Sequence, residues 1–175
     1  MRQNLFLIVV LFFSVNYLSS QSFSWIMDTE KGYEIPVGTG NCEELETGEF
    51  YAEMKEAYND YNPDQLFLKQ IAEISKSYYE LQATIVFGAW CGDSREHLPH
   101  FYKVLHESNF LDMDRITLVA CDRDKKAGDT DIGNLDIELV PTFIIYDGDR
   151  ELGRIIETPV KSLEEDIYNI LSLKD

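Results

Sequence analysis

The sequence predicts an α/β domain: a mixed central sheet of four strands, with room for a fifth, flanked by helices. Three observations predict it. An apolar run, Thr84-Ile85-Val86-Phe87, precedes a helical pattern at Leu98, Phe101, Tyr102 and Leu105. A second run, Ile116-Thr117-Leu118-Val119-Ala120-Cys121, follows, and such alternation implies two parallel strands joined by a crossover helix. A third run, Thr142-Phe143-Ile144-Ile145-Tyr146, meets a fourth, Glu151 to Ile156, across Asp147-Gly148, a dipeptide that marks a hairpin turn. Helices are expected on both faces of this sheet.

Residues 1–20 read as a leader. Arg2 supplies a basic start, Leu5 to Phe13 is unbroken apolar, and Leu18-Ser19-Ser20 offers small residues for cleavage. A run of this length suits a signal peptide better than a spanning helix, which needs about 20 apolar residues. The chain is therefore expected to be exported, to a periplasmic or extracellular space, with no membrane attachment once the leader is removed. Residues 21–62 form an N-terminal arm and helix, and residues 63–175 the main domain. Within the arm, 21–47 show no clear period, and Gly38-Thr39-Gly40-Asn41 is turn material, so an irregular path is expected. Phe50, Met54, Ala57, Tyr58 and Tyr61 share one helical stripe over 48–61, a pattern that belongs in a core.

Asn62-Pro63 offers a cap and a first-turn proline for a helix carried by Phe67, Ile71, Ile74, Tyr78 and Leu81. The crossover helix, about 94–107, contains Pro99, which removes one hydrogen bond and bends it. Residues 122–134 form a polar connection with a short helix. Ser162-Leu163-Glu164-Glu165 is a capping box for a last helix with apolar positions at Leu163, Ile167, Ile170 and Leu171.

Chemistry concentrates at Trp90-Cys91-Gly92-Asp93-Ser94, where strand gives way to helix. Unpaired N–H groups and the helix dipole favour an anion there, which stabilises a thiolate. Asp93 opposes this. Each influence is worth about 0.3–1 kcal/mol when exposed, so Cys91 is expected to be a sluggish nucleophile. The chain has three cysteines: Cys42, Cys91 and Cys121. An odd set in an oxidising compartment allows one bridge and one free thiol; Cys42–Cys121 with Cys91 free is the simplest division, although spacing does not fix it. Cys121 is either a buried small apolar residue or an unconventional resolving thiol for Cys91.

These residues carry a resemblance. Trp90-Cys91-Gly92 after a strand, Pro99 eight positions beyond the cysteine, Val140-Pro141-Thr142 before a strand, and the closing hairpin with Gly153 and a terminal helix are together similar to the thioredoxin-like superfamily, over about residues 64–174. The resemblance implies a thioredoxin-like fold and a cis Val140–Pro141 bond lying against the Cys91 turn. It also implies an extended substrate segment paired with the backbone of Val140, and a cleft flanked by Trp90, Asp93 and Pro141. Three departures stand out: Ser94 replaces the second cysteine of the usual dithiol, Asp93 replaces the intervening proline, and Ile85 replaces a buried acid six positions before the cysteine. With no second thiol, a carboxylate at 85 would only cost desolvation.

Two functions follow. One is monothiol exchange: Cys91 attacks a disulfide, Ser94 donates its hydroxyl to the thiolate, and a substrate thiol or a small thiol completes release. The other is a binding module that has kept the fold without the chemistry. The partner in the first is a protein bearing disulfides or thiols, or a small thiol. A formal net charge of −17 repels phosphates and argues against nucleic acid. No phosphate-cradling loop is present, and no cofactor is expected. Nor is a metal: Cys91, His97 and His100 are ligand types without the spacing of a known zinc site. Asp122, Asp124, Asp129 and Asp131, interrupted by Lys125 and Lys126, do not match a calcium loop.

Overall fold

A computed structural model describes residues 22–173; the leader and its cleavage point lie outside the described residues. The strands are β1 (Ser24–Asp28), β2 (Tyr33–Gly40), β3 (Leu81–Phe87), β4 (Ile116–Ala120), β5 (Thr142–Asp147) and β6 (Arg150–Ile156), and the helices α1 (Tyr51–Asp60), α2 (Gln65–Ile74), α3 (Gly92–Ser108) and α4 (Leu163–Ser172). Among the described residues one sheet runs in the order β1-β2-β4-β3-β5-β6. β3 and β4 are parallel; every other neighbouring pair is antiparallel. Strands β4-β3-β5-β6 with α3 and α4 make the mixed arrangement that the thioredoxin-like resemblance implies, and the sheet has six strands where four, with room for a fifth, were expected.

The two added strands are the first correction. Instead of an irregular arm, β1 and β2 form a hairpin. Its turn is built by Asp28: one carboxylate oxygen accepts from Glu30 N–H and Lys31 N–H at 2.9 and 3.0 Å, and Gly32 takes φ +77°. Ile35 and Val37 are buried at 2% and 5% exposure, within a run that is buried from Ile35 to Gly38. Pro36 and Gly38 inside that run conceal the strand, because proline and glycine ordinarily argue against a strand interior.

The strand core follows from register. Ile85 lies opposite both Leu118 and Phe143, and all three are buried, so they share one face. All four helices press on that face: Met54, Leu68, Ile71, Leu98, Phe101, Leu105, Ile167 and Leu171 join the same apolar cluster. Phe101 stacks on Phe143 with ring centres 5.1 Å apart and planes at 13°. The opposite face, with Val86 and Val119, is covered by the segment after β4, through Ala127, Ile132 and Val140. Helices on both faces were expected, so this is the second correction. The covering segment is not helical because its local chemistry favours turns. Asp122 accepts from Asp124 N–H and Lys126 N–H, Asp131 accepts from Gly133 N–H, and Lys125, Gly128 and Asp136 all have positive φ. Its only helical turn among the described residues is a 3-10 turn at Gly133–Leu135.

Two smaller corrections concern α2. Its cap is Asp64, whose carboxylate accepts from Leu66 N–H at 2.7 Å, not Asn62-Pro63. The helix stops at Ile74 rather than running to Leu81. Ser75 and Ser77 turn their hydroxyls back onto the Ala72 and Ile74 carbonyls, a competition with helical bonding that ends helices. The capping box of α4 forms at Ser162, which accepts from Glu165 N–H at 3.2 Å. Glu164, also buried, accepts from Tyr61 O–H and Asp64 N–H and ties α4 to the α1–α2 junction. No helix among the described residues is long and apolar enough to cross a membrane.

Phe101 joins α3 to the sheet. Phe101→Ala is expected to cost about 3–5 kcal/mol, read as a lower midpoint in urea unfolding at unchanged slope.

Candidate functional site

The site lies where β3 ends and β5 begins. Their antiparallel pairing, Val86 opposite Thr142, brings the loop after β3 against the loop before β5. In the first loop Cys91 N–H donates to Gly88 O at 2.9 Å, closing a turn, and Cys91 O accepts from Arg95 N–H at 3.2 Å. Cys91 is thus the cap residue of the 17-residue α3, and its side chain is half-buried. In the second loop the Val140–Pro141 bond is cis. The Cys91 thiol donates to Val140 O at 3.3 Å, and the Asp93 carboxylate lies 3.7 Å from the same sulfur. Asp93 and Val140, the latter preceding Pro141 in the chain, therefore lie against the Cys91 sulfur.

Ser94 is placed differently from expectation. It is 1% exposed, and its hydroxyl oxygen accepts from Gly88 N–H at 3.1 Å. That bond braces the turn from beneath, so the partner the structure gives Ser94 is backbone rather than the Cys91 sulfur. Ile85 is fully buried among core side chains, an apolar floor below the site.

Trp90 is fixed from three sides. Its ring N–H donates to Cys121 O at 2.9 Å. Gly88 lies under the ring, where a Cβ would come within 2.6 Å of it. The Arg123 guanidinium sits over the ring, 5.1 Å from its centre, within cation–π range. Arg123 is itself held by Asp28 at 2.9 Å and Glu30 at 3.0 Å, so the β1–β2 turn positions the tryptophan beside Cys91. Burial pushes the Asp28 carboxyl up, but bonds from Lys31 N–H, Arg123 and Glu30 N–H outweigh it and hold the group below the usual carboxylate range.

Arg95 makes a second brace. Its guanidinium donates to Ala89 O at 3.1 Å and to Tyr33 O–H at 3.2 Å and pairs with Glu53 at 2.7 Å. Through it β2 and α1 both grip the Cys91 turn. Sequence reading missed Asp28, Arg95 and Arg123. Arg95, four residues beyond the cysteine on α3, was within reach of helical spacing; the other two meet the site only through the unrecognised hairpin.

The remaining cysteines stand apart. All three thiols are free. Cys42 packs with the helix-covered core, whereas Cys121 belongs to the opposite cluster. The sheet separates them, so the Cys42–Cys121 bridge does not form. Cys121 is fully buried; burial, then Asp122, pushes its thiol up to about 12. A thiol so strongly protonated is a poor resolver.

His97 and His100 fall not with Cys91 but with Glu96, one donor atom of each lying within 4.8 Å of the others. Among the acidic residues weighed for calcium, Asp122 and Asp131 serve their own turns.

No protein-family model matches the chain, and no curated protein does. Solved structures similar to it include mitochondrial thioredoxin 3 of Saccharomyces cerevisiae in its oxidised form, at 21% identity over 65% of this chain and 98% of that one, with a TM-score of 0.38. Thioredoxin f2 of Chlamydomonas reinhardtii is 21% identical over 48% of this chain and 72% of that one, at 0.35. A yeast mitochondrial 1-Cys peroxiredoxin is 22% identical over 56% of this chain and 85% of that one, at 0.38.

Arg123→Ala is expected to loosen Trp90 and to leave buried Asp28 without its cation. With Trp25→Phe as background, acrylamide quenching of the remaining tryptophan should rise, and the melting temperature should fall by about 2–4 °C. The Asp28 contribution has a defined sign. A carboxyl lowered on folding stabilises the fold above its unfolded value of about 3.9 and loses that effect as pH falls through the folded value. Quenching of Trp90 should therefore stay flat down to about pH 4 and climb only below it.

Proposed function

We propose that this chain is an exported protein that carries out thiol–disulfide exchange through Cys91 alone. The observation that carries the proposal is the position of one half-buried sulfur, at the start of α3 and 3.3 Å from Val140 O beside a cis proline. The thioredoxin-like fold supports thiol redox chemistry in general terms; the single-cysteine route rests on Ser94, on the buried Cys121 and on Cys42 lying across the sheet.

The chemistry balances as two displacements. Cys91 loses its proton to solvent, and the thiolate attacks one sulfur of a substrate disulfide. One S–S bond forms to Cys91, one breaks, and the departing substrate sulfur leaves as a thiolate. A second thiolate then attacks the mixed disulfide on the substrate sulfur and regenerates Cys91. If that thiolate belongs to the substrate, the net result is isomerisation. If two molecules of a small thiol act in sequence, they end as their own disulfide and the substrate is reduced.

The Val140 carbonyl takes part in this cycle. While Cys91 is protonated, Val140 O accepts the thiol proton. Once the thiolate forms, that oxygen has no donor, and an extended substrate strand can supply one from its own N–H. The thiol proton and a substrate N–H therefore compete for the same oxygen.

The Asp93 carboxylate at 3.7 Å from the sulfur favours the second reading, a peptide-binding module without chemistry, because an anion there resists thiolate formation. Isomerisation of a scrambled disulfide protein separates the two. Cys91→Ser should fall to the uncatalysed rate, while Cys42→Ser keeps wild-type activity; equal rates for wild type and Cys91→Ser defeat the exchange reading. Removing the opposing charge should also show directly. Asp93→Asn is expected to speed alkylation of Cys91 near neutral pH by roughly two- to fivefold, the effect of one nearby exposed charge.

A further inference from the structure

We propose that Glu96, His97 and His100 form a binding site for a divalent cation of the zinc class, on α3 and apart from Cys91. Each offers one donor atom, and the three atoms lie within 4.8 Å of one another. His97 and His100 are three residues apart, Glu96 and His100 four, so each pair shares a helix face. Two imidazoles and one carboxylate make a donor set that zinc accepts, leaving a fourth tetrahedral position for water.

A second observation points to a ligand. His97 is 9% exposed, and its Nδ1 has no hydrogen-bond partner among the described residues. A buried polar atom left unpaired is costly and rare. His100 is oriented by its neighbours: its ring stacks on Tyr61, with centres 3.9 Å apart and planes at 13°.

The surroundings suit a cation. Glu56 and Asp60 of α1 line the same surface depression as Glu96 and His100, and Arg95, which also lines it, is already paired with Glu53. Zinc–nitrogen bonds of about 2.0–2.1 Å require donors about 3.3 Å apart, so the side chains must close inward. Glu96 is exposed and rotates freely enough to do so, while the histidines stay on a rigid helix.

Titration calorimetry of the full chain with zinc chloride tests this, with circular dichroism as the check on folding. One zinc per chain is expected for wild type. Cys91→Ser and Cys42→Ser should bind it equally well, while His100→Gln and Glu96→Gln, which should fold normally, should bind at least about tenfold more weakly. Cobalt in the same site should show no thiolate-to-metal absorption band. No saturable binding, binding that survives both ligand substitutions, or binding lost with either cysteine would overturn the proposal.

Discussion

The contact between the Cys91 sulfur and the Val140 carbonyl, 3.3 Å across 49 positions of sequence, is the point on which the candidate site depends. It exists because β3 and β5 run antiparallel side by side, so the end of one strand and the start of the other share a sheet margin. The core enforces that pairing. Ile85 and Phe143 face each other in register and are both fully buried. A slip of one residue would turn every such side chain to the wrong face. The site geometry is therefore as stable as the central sheet and does not rely on the mobility of a surface loop.

Around that contact the electrostatics are mixed. The start of a long helix offers its dipole to the sulfur, while the Asp93 carboxylate lies 3.7 Å from it and Val140 O accepts its proton at 3.3 Å. A resting thiol that becomes reactive when a substrate strand engages Val140 is consistent with this balance. The N-terminal hairpin adds a different constraint. Through Asp28, Arg123 and Trp90, and through Tyr33 and Arg95, it fixes the wall of the cleft from outside the minimal fold.

Much of this was legible in the sequence. Strands β3, β4 and β5 stand out as continuous apolar runs and helices α3 and α4 by apolar positions at helical spacing, and element ends carry standard signals, such as Asp147-Gly148 for the β5–β6 turn and Ser162 for α4. The cysteine turn and Val140-Pro141 were legible as motifs. The rest was hidden for identifiable reasons. In β2, Pro36 and Gly38 interrupt a run buried from Ile35 to Gly38, and the strand is set by pairing with β1 and β4 rather than by local pattern. The one-sided placement of the helices depends on the turn-rich segment after β4 covering the far face, which local pattern does not reveal. Ser94 reads as a substitute for a catalytic thiol, yet its small buried hydroxyl satisfies Gly88 N–H instead. Glu96 is unremarkable by composition and gains meaning only once the two histidines are placed beside it.

The central claim is that Cys91 is the one sulfur presented for exchange. Intact-mass analysis, acid-quenched within seconds of mixing the reduced chain with a disulfide-linked peptide and followed by site mapping, tests it most directly. The account predicts a single covalent adduct, located on Cys91 and removed by added glutathione. An adduct located on Cys42 or Cys121, or no adduct under conditions where free cysteine reacts, would contradict it.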